Sequence, residues 1–225
     1  MENKIEFLDK IKNMLKIRKE DFIAWKVASE TCDPFKVLIA TLLSQNTTDK
    51  NALKAYQRLE EKIGVKPEKL ASTSIEEISD AIKVAGLYKA KARAIREIAR
   101  IILEKYQGDL RNILNLENAR EKLLSLPRVG EKTADVLLLM LAGKETIPVD
   151  THIRRVSLRL GIASGKDYSS IQKSLMEYFR GEDFLEVHLY LIALGRTYCK
   201  SRRPLCEKCP LINECKYYLS KRHNG

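Results

Sequence analysis

The chain has 225 residues, 44% of them hydrophobic, enough apolar material for one large core or two smaller ones and too much for a disordered tail. Lys and Arg number 41 against 30 Asp and Glu, a formal +11 that favours a polyanionic partner, nucleic acid first. No stretch approaches the ~20 uncharged residues that cross a bilayer, and Met1-Glu2-Asn3-Lys4-Ile5 has no apolar signal core, so a soluble intracellular protein (cytoplasm or nucleoid in a prokaryote) without a membrane partner is expected.

In chain order the pattern is helical throughout. Asp33-Pro34 offers an N-cap with proline at the first helical position, ahead of the apolar run Phe35, Val37, Leu38, Ile39, Leu42 and Leu43. Thr73 and Ser74 each have a glutamate three residues on (Glu76, Glu77), a capping-box signature before Ile75, Ile78 and Ile82. From Ala92, the residues Ile95, Ile98, Ala99 and Ile102 recur at threes and fours, and Gly108 stands where a C-terminal cap belongs. Leu110 to Leu126 is shorter and punctuated, Leu126-Pro127-Arg128-Val129-Gly130 reads as a turn, and Glu131 to Ala142 is helical again. Asp150 then precedes Ile153, Val156 and Leu160 as an N-cap precedes a helix. Trp25, Tyr56, Tyr88 and Tyr106 fall at helical positions where core packing is the default, and Cys32, remote from the other cysteines, reads as a small buried hydrophobe.

The turn at 126–130 places its amides at the start of a helix, where the positive end of the helix dipole and the free N–H groups hold a phosphate without reading sequence. Lys132 lies in the first turn of that helix, where the same positive end opposes a protonated amine and favours the nucleophilic form. Eighteen residues on, Asp150 supplies a carboxylate suited to accept a proton or stabilise a cationic sugar. Residue types alone leave a second reading open: a surface lysine and an N-cap aspartate without a chemical role.

Cys199, Cys206, Cys209 and Cys215 follow C-x6-C-x2-C-x5-C, and four thiolates in so short a window can close around one tetrahedral zinc or an iron-sulfur cubane. Spacing alone admits both. Lys200, Arg202 and Arg203 lie between the first two cysteines, and residues 196 to 225 carry eight Lys/Arg against two Glu, so this loop would present positive charge to phosphates.

Leu126 to Val136, followed by Val149-Asp150-Thr151-His152-Ile153, resembles the helix-hairpin-helix and catalytic-aspartate signature of the endonuclease III branch of DNA glycosylases, and the cysteine spacing is similar to that family's C-terminal [4Fe-4S] loop. The resemblance runs from about Phe35 to Cys215. It implies an all-α fold of two lobes: a six-helix bundle over 30–145 with the hairpin, and a discontinuous iron-sulfur domain of 1–29 with 146–225, leaving a basic cleft. It implies a bifunctional glycosylase/AP lyase of base-excision repair that removes damaged, oxidised pyrimidines from double-stranded DNA and acts on abasic sites as a monomer. Lys132 would be the Schiff-base nucleophile, Asp150 the activating carboxylate, and the four cysteines ligands of a [4Fe-4S] cluster, with zinc the lesser alternative. Arg128, Val129 and Gly130 would grip the backbone, with Arg128 at a position often glycine in the family, and His152 would contact a phosphate or simply pack. Leu42 to Asp49 resembles the family's polar intercalating loop, which points to Gln45 or Asn46, and Gly86-Leu87-Tyr88-Lys89 a second one with Leu87 as wedge. A monofunctional glycosylase for uracil or thymine opposite guanine, and a non-catalytic DNA-binding protein, are the alternatives.

Overall fold

A computed structural model describes residues 4–222, and among them every regular element is helical. The order is α1 (Lys4–Met14), α2 (Ile23–Thr31), α3 (Pro34–Ser44), α4 (Asp49–Lys62), α5 (Pro67–Ser72), α6 (Ile75–Ala81), α7 (Tyr88–Tyr106), α8 (Arg111–Leu114), α9 (Ala119–Leu124), α10 (Glu131–Leu141), α11 (Thr151–Leu160), α12 (Tyr168–Tyr178), α13 (Phe184–Thr197) and α14 (Lys216–Arg222). None of these helices is long and apolar enough to cross a membrane. The chain divides into a central unit, Arg18–Gly143, and a second unit made from both ends, Met1–Ile17 with Lys144–Gly225.

The central unit is organised on α3. Asp33 caps it by accepting from the Phe35 and Lys36 amides, Pro34 opens it, and every residue from Pro34 to Leu43 except Lys36 is buried. A helix apolar on all sides must be wrapped by others, and α2, α4, α7 and α10 pack against it. The capping box forms at Ser74 with Glu77, whereas Thr73 ends α5 by bonding back to the Lys69 carbonyl. Along α7, Lys91, Ala92, Ile95, Ile98, Ala99 and Ile102 form the buried stripe. The helix ends on Gln107 and Gly108, both left-handed, with the Gly108 amide reaching the Ile102 carbonyl at 3.0 Å.

Two expectations are corrected. Residues 18–29 belong with the central unit, not with the chain ends, because Ile23 and Val27 on α2 are buried in the same core as Phe35 and Leu38. Cys32 is exposed: it is the left-handed residue (φ 49°) that ends α2, a position that turns the side chain out of the packed face.

In the second unit α1 packs on α13, with the Phe7 ring edge-on to Tyr178 and Phe179 at 5.8 and 5.7 Å. Helices α11 and α13 cross where Gly195 permits it; a Cβ there would stand 2.8 Å from the Cβ of His152.

Candidate functional site

The hairpin of the central unit is α9, the turn and α10. Its two helices are clamped by Arg120, whose guanidinium meets both oxygens of the buried Asp135 (2.8 and 3.2 Å) and reaches Glu131 at 3.4 Å. Removing the guanidinium strips its cation from a carboxylate that is 1% exposed. Arg120 itself is 39% exposed, so the cost falls between that of a surface pair and a buried one: Arg120→Met is expected to lose about 2 kcal/mol, a fall of about 5 °C in thermal unfolding.

The turn expected over 126–130 forms, but its glycine is not the residue that turns left-handed. Gly130 is extended (φ −94°, ψ −179°), a conformation any residue adopts, and the left-handed residue is Arg128 (φ 60°). A Cβ at Gly130 would touch nothing within 4 Å, so glycine there keeps open the approach to the start of α10. That start has no side-chain cap, which leaves its first-turn amides to an outside acceptor. Arg128 is exposed and Val129 is buried. Lys132 is the second residue of α10 and is half-buried.

Two loops stand beside this hairpin in the central unit. Gln45 is half-buried and its side-chain amide donates to the Arg128 carbonyl (3.1 Å) and the Thr133 hydroxyl (3.2 Å). Asn46 is exposed and left-handed (φ 53°). Leu87, also left-handed (φ 58°), leaves 55% of its surface in solvent, unusual for a leucine that begins a helix. Lys91 was not singled out by sequence reading: it is 1% exposed, and its ammonium donates to the carbonyls of Leu43 (2.8 Å) and Gln45 (2.7 Å). Burial, and then the nearby Arg128 charge, push its pKa down to about 8. A charged residue in phase with Ile95, Ile98 and Ile102 was the signal available in the sequence.

In the second unit Asp150 caps α11, accepting the Ile153 amide at 2.7 Å. Two residues on, burial holds the half-buried His152 imidazole below its usual pKa, with Arg155 and Arg196 adding to the effect against the opposing pull of Asp150. His152 Nδ1 lies 3.1 Å from the Arg155 guanidinium, which also donates to the carbonyls of Cys199 (2.8 Å) and Gly195 (3.0 Å). The first turn of α11 is thereby tied to the beginning of the cysteine loop.

Cys199, Cys206, Cys209 and Cys215 line one cavity, walled also by Val156, Leu160, Leu194 and Ile212. Burial raises the Cys209 thiol to about 11 and also raises that of Cys206, each aided by the other cysteines; a cation-bearing group is what such a crowd of thiols requires to ionise. Arg159 organises the rim: it donates to Cys199 Sγ (3.5 Å) and to the carbonyls of Lys200 (2.7 Å) and Ser201 (3.1 Å), and stacks on Tyr217 with 4.8 Å to the ring centre. Lys200, Arg202 and Arg203 are exposed on the loop so held. Among the described residues no three His, Cys, Asp or Glu side chains gather tightly enough for a single ion. The donor set of that cavity, four thiols among apolar side chains, fits in residue type either a tetrahedral metal or an iron-sulfur group.

An all-helical fold with an uncapped hairpin, a lysine at the head of its second helix and four thiols near the C-terminus defines a base-excision DNA repair protein of the HhH-GPD superfamily, whose family model matches residues 39–181. The chain belongs to the endonuclease III family. It is 41% identical over 217 residues to endonuclease III of Sulfolobus acidocaldarius, with 96% of each chain covered. It also superimposes on a non-covalent endonuclease III–DNA complex (TM-score 0.81, 32% identity, all of both chains) and on a trapped covalent endonuclease III–DNA intermediate (TM-score 0.79, 31% identity, 99% of this chain and 100% of that one).

Proposed function

We propose that this chain is a base-excision-repair enzyme, a DNA glycosylase with AP-lyase activity, that removes damaged bases, oxidised pyrimidines above all, from double-stranded DNA with Lys132 as its nucleophile. The observation that carries the reading is a lysine in the first, uncapped turn of the second hairpin helix, within a chain that aligns over 96% of its length with endonuclease III. The Lys132 amine attacks C1′, the bond from C1′ to the base breaks, and the base leaves with the electron pair and takes up a proton. The amine gives up a proton and its nitrogen lone pair opens the sugar ring, breaking the C1′–O4′ bond, whose oxygen takes up a proton, to leave a protonated imine; removal of a C2′ proton then expels the 3′ phosphate, and water hydrolyses the imine to free the lysine amine. Asp150 is the carboxylate assigned to accept the proton and to balance the cationic sugar, on the match of Val149 to Ile153 with the family signature.

Grip on the backbone falls to the amides of Arg128, Val129 and Gly130 and to the charges of Lys200, Arg202 and Arg203. Of the polar wedge candidates, Asn46 inserts and Gln45 braces, since the Gln45 amide is already engaged by the hairpin while Asn46 is exposed. Leu87 is the apolar wedge. The unit of Met1–Ile17 with Lys144–Gly225 is assigned as the iron-sulfur domain and the central unit as the hairpin-bearing bundle, and the enzyme is assigned as a monomer. Cys199, Cys206, Cys209 and Cys215 would hold a [4Fe-4S] cluster, which orders the basic loop and takes no part in the elimination. Purified protein is therefore expected to be brown, with iron and acid-labile sulfide in equal amounts; Cys209→Ser should lose both together with DNA affinity, and colourless, zinc-containing protein of full activity would overturn the assignment.

The enzyme itself is tested on a duplex bearing one thymine glycol, with and without borohydride. Strand cleavage and a trapped protein–DNA adduct are expected. Base release without an adduct would replace the reading with a monofunctional glycosylase, and no reaction on several damaged bases with a DNA-binding protein.

A further inference from the structure

Loops 45–48 and 86–87 come from distant parts of the sequence, yet three contacts make them one body. The Lys91 ammonium, on the first turn of α7, reaches back to the carbonyls of Leu43 and Gln45 at the end of α3. The Lys91 backbone amide at the same time donates to the Leu87 carbonyl at 3.0 Å. Gly86 approaches so closely that a Cβ on it would lie 2.9 Å from the Asn46 carbonyl oxygen, a backbone atom with no freedom to move aside. One residue thus bonds Leu87 through its backbone and the Leu43–Gln45 segment through its side chain.

Burying an ammonium is expensive, and a methionine would fill the same space without that cost. Both partners of Lys91 are backbone carbonyls, and its neighbouring charge, Arg128, is a cation. The arrangement does not serve stability through ion pairing. What a charged donor supplies that a methyl group does not is direction: two short bonds that fix where the chain leaves α3 and hence where Asn46 stands relative to Leu87.

We propose that Lys91 is a positioning residue that locks the Asn46 and Leu87 loops into a single wedge, and so governs opening of the duplex and not the chemistry at the sugar. The inference rests on the glycosylase/lyase reading. A pre-opened substrate should bypass the need for the wedge, because a single-stranded abasic site has no stack to enter.

The test compares two reactions of the intact, cluster-containing enzyme: excision of thymine glycol from a duplex, and strand cleavage with borohydride trapping at an abasic site in a single-stranded oligonucleotide. Lys91→Met is expected to slow the duplex reaction about a hundredfold, the scale of a misplacement of about 1 Å, while single-strand cleavage stays within about threefold. Gly86→Ala, which forces the loops apart without touching the buried amine, should show the same split and carries the test if Lys91→Met fails to fold. Equal losses on both substrates in a variant that melts like wild type, or no loss on the duplex, would overturn the proposal. Wild-type protein that cuts neither substrate would instead overturn the enzyme reading beneath it.

Discussion

Lys132→Ala is expected to abolish both strand cleavage and borohydride trapping, lowering turnover on a thymine-glycol duplex at least about 10³-fold, because it removes the amine proposed to form the imine through which the elimination passes. The change should leave DNA binding within a few-fold of wild type. The amides at the start of α10 belong to the backbone and survive the substitution, and the exposed charges of Lys200, Arg202 and Arg203 are untouched. Lys132 is the half-buried second residue of α10, a position where alanine is a good helix former, so the fold should hold as well. Lys132→Arg adds a second arm: it keeps the positive charge but offers no primary amine, and it should be as inactive as alanine. If the arginine variant retained cleavage, the role of Lys132 would be electrostatic and the nucleophile would have to be sought elsewhere; if both variants lost binding in parallel with cleavage, the lysine would be a phosphate contact.

What sequence reading reached and what it did not divide along the range of the interactions. Asp33, Ser74 and Asp150 bond to amides two or three residues away, so a cap next to an apolar period was enough to place α3, α6 and α11. The hairpin and the four cysteines were legible for the same reason: each is a short segment whose residue types carry the chemistry. The corrections arise where conformation or distant packing decides. Nothing in Pro127-Arg128-Val129-Gly130 announces that the arginine, not the glycine, turns left-handed. Cys32 looked like a core residue by type, but its backbone ends a helix and faces it outward. Residues 18–29 joined the central unit through Ile23 and Val27, whose partners lie on other helices. Lys91, Arg155 and Arg159 were missed because each takes its role from carbonyls 40 or more residues away; Lys91 at least stands in phase with an apolar stripe, whereas nothing local marks Arg155 and Arg159 among the chain's 41 basic residues. The contact that favours Asn46 over Gln45 as the inserting residue, the Gln45 amide on the Arg128 carbonyl, likewise joins segments far apart in the sequence.

Asp150 offers a prediction in which structure and chemistry separate. Its carboxylate caps α11 through the Ile153 amide at 2.7 Å, so any substitution risks the helix start as well as the reaction. Asparagine is as good an N-cap as aspartate, because its side-chain oxygen accepts the same bond; Asp150→Asn should therefore unfold within a few degrees of wild type and match its metal content. Alanine cannot cap, and Asp150→Ala should lose about 1 kcal/mol of stability in addition. The first turn of α11 is further held by Arg155, which joins His152 to the carbonyls of Gly195 and Cys199, so neither variant should release the cysteine loop. An amide accepts no proton and balances no cationic sugar, and both variants are expected to lose excision by about 10²- to 10⁴-fold, the range for a positioned acid–base group. Thermal unfolding, iron content and single-turnover excision measured on the same three preparations decide the matter. Full activity in the asparagine variant would reduce Asp150 to a helix cap, whereas two variants equally slow but unequally stable would place the carboxylate in the chemistry and assign the difference in stability to the cap alone.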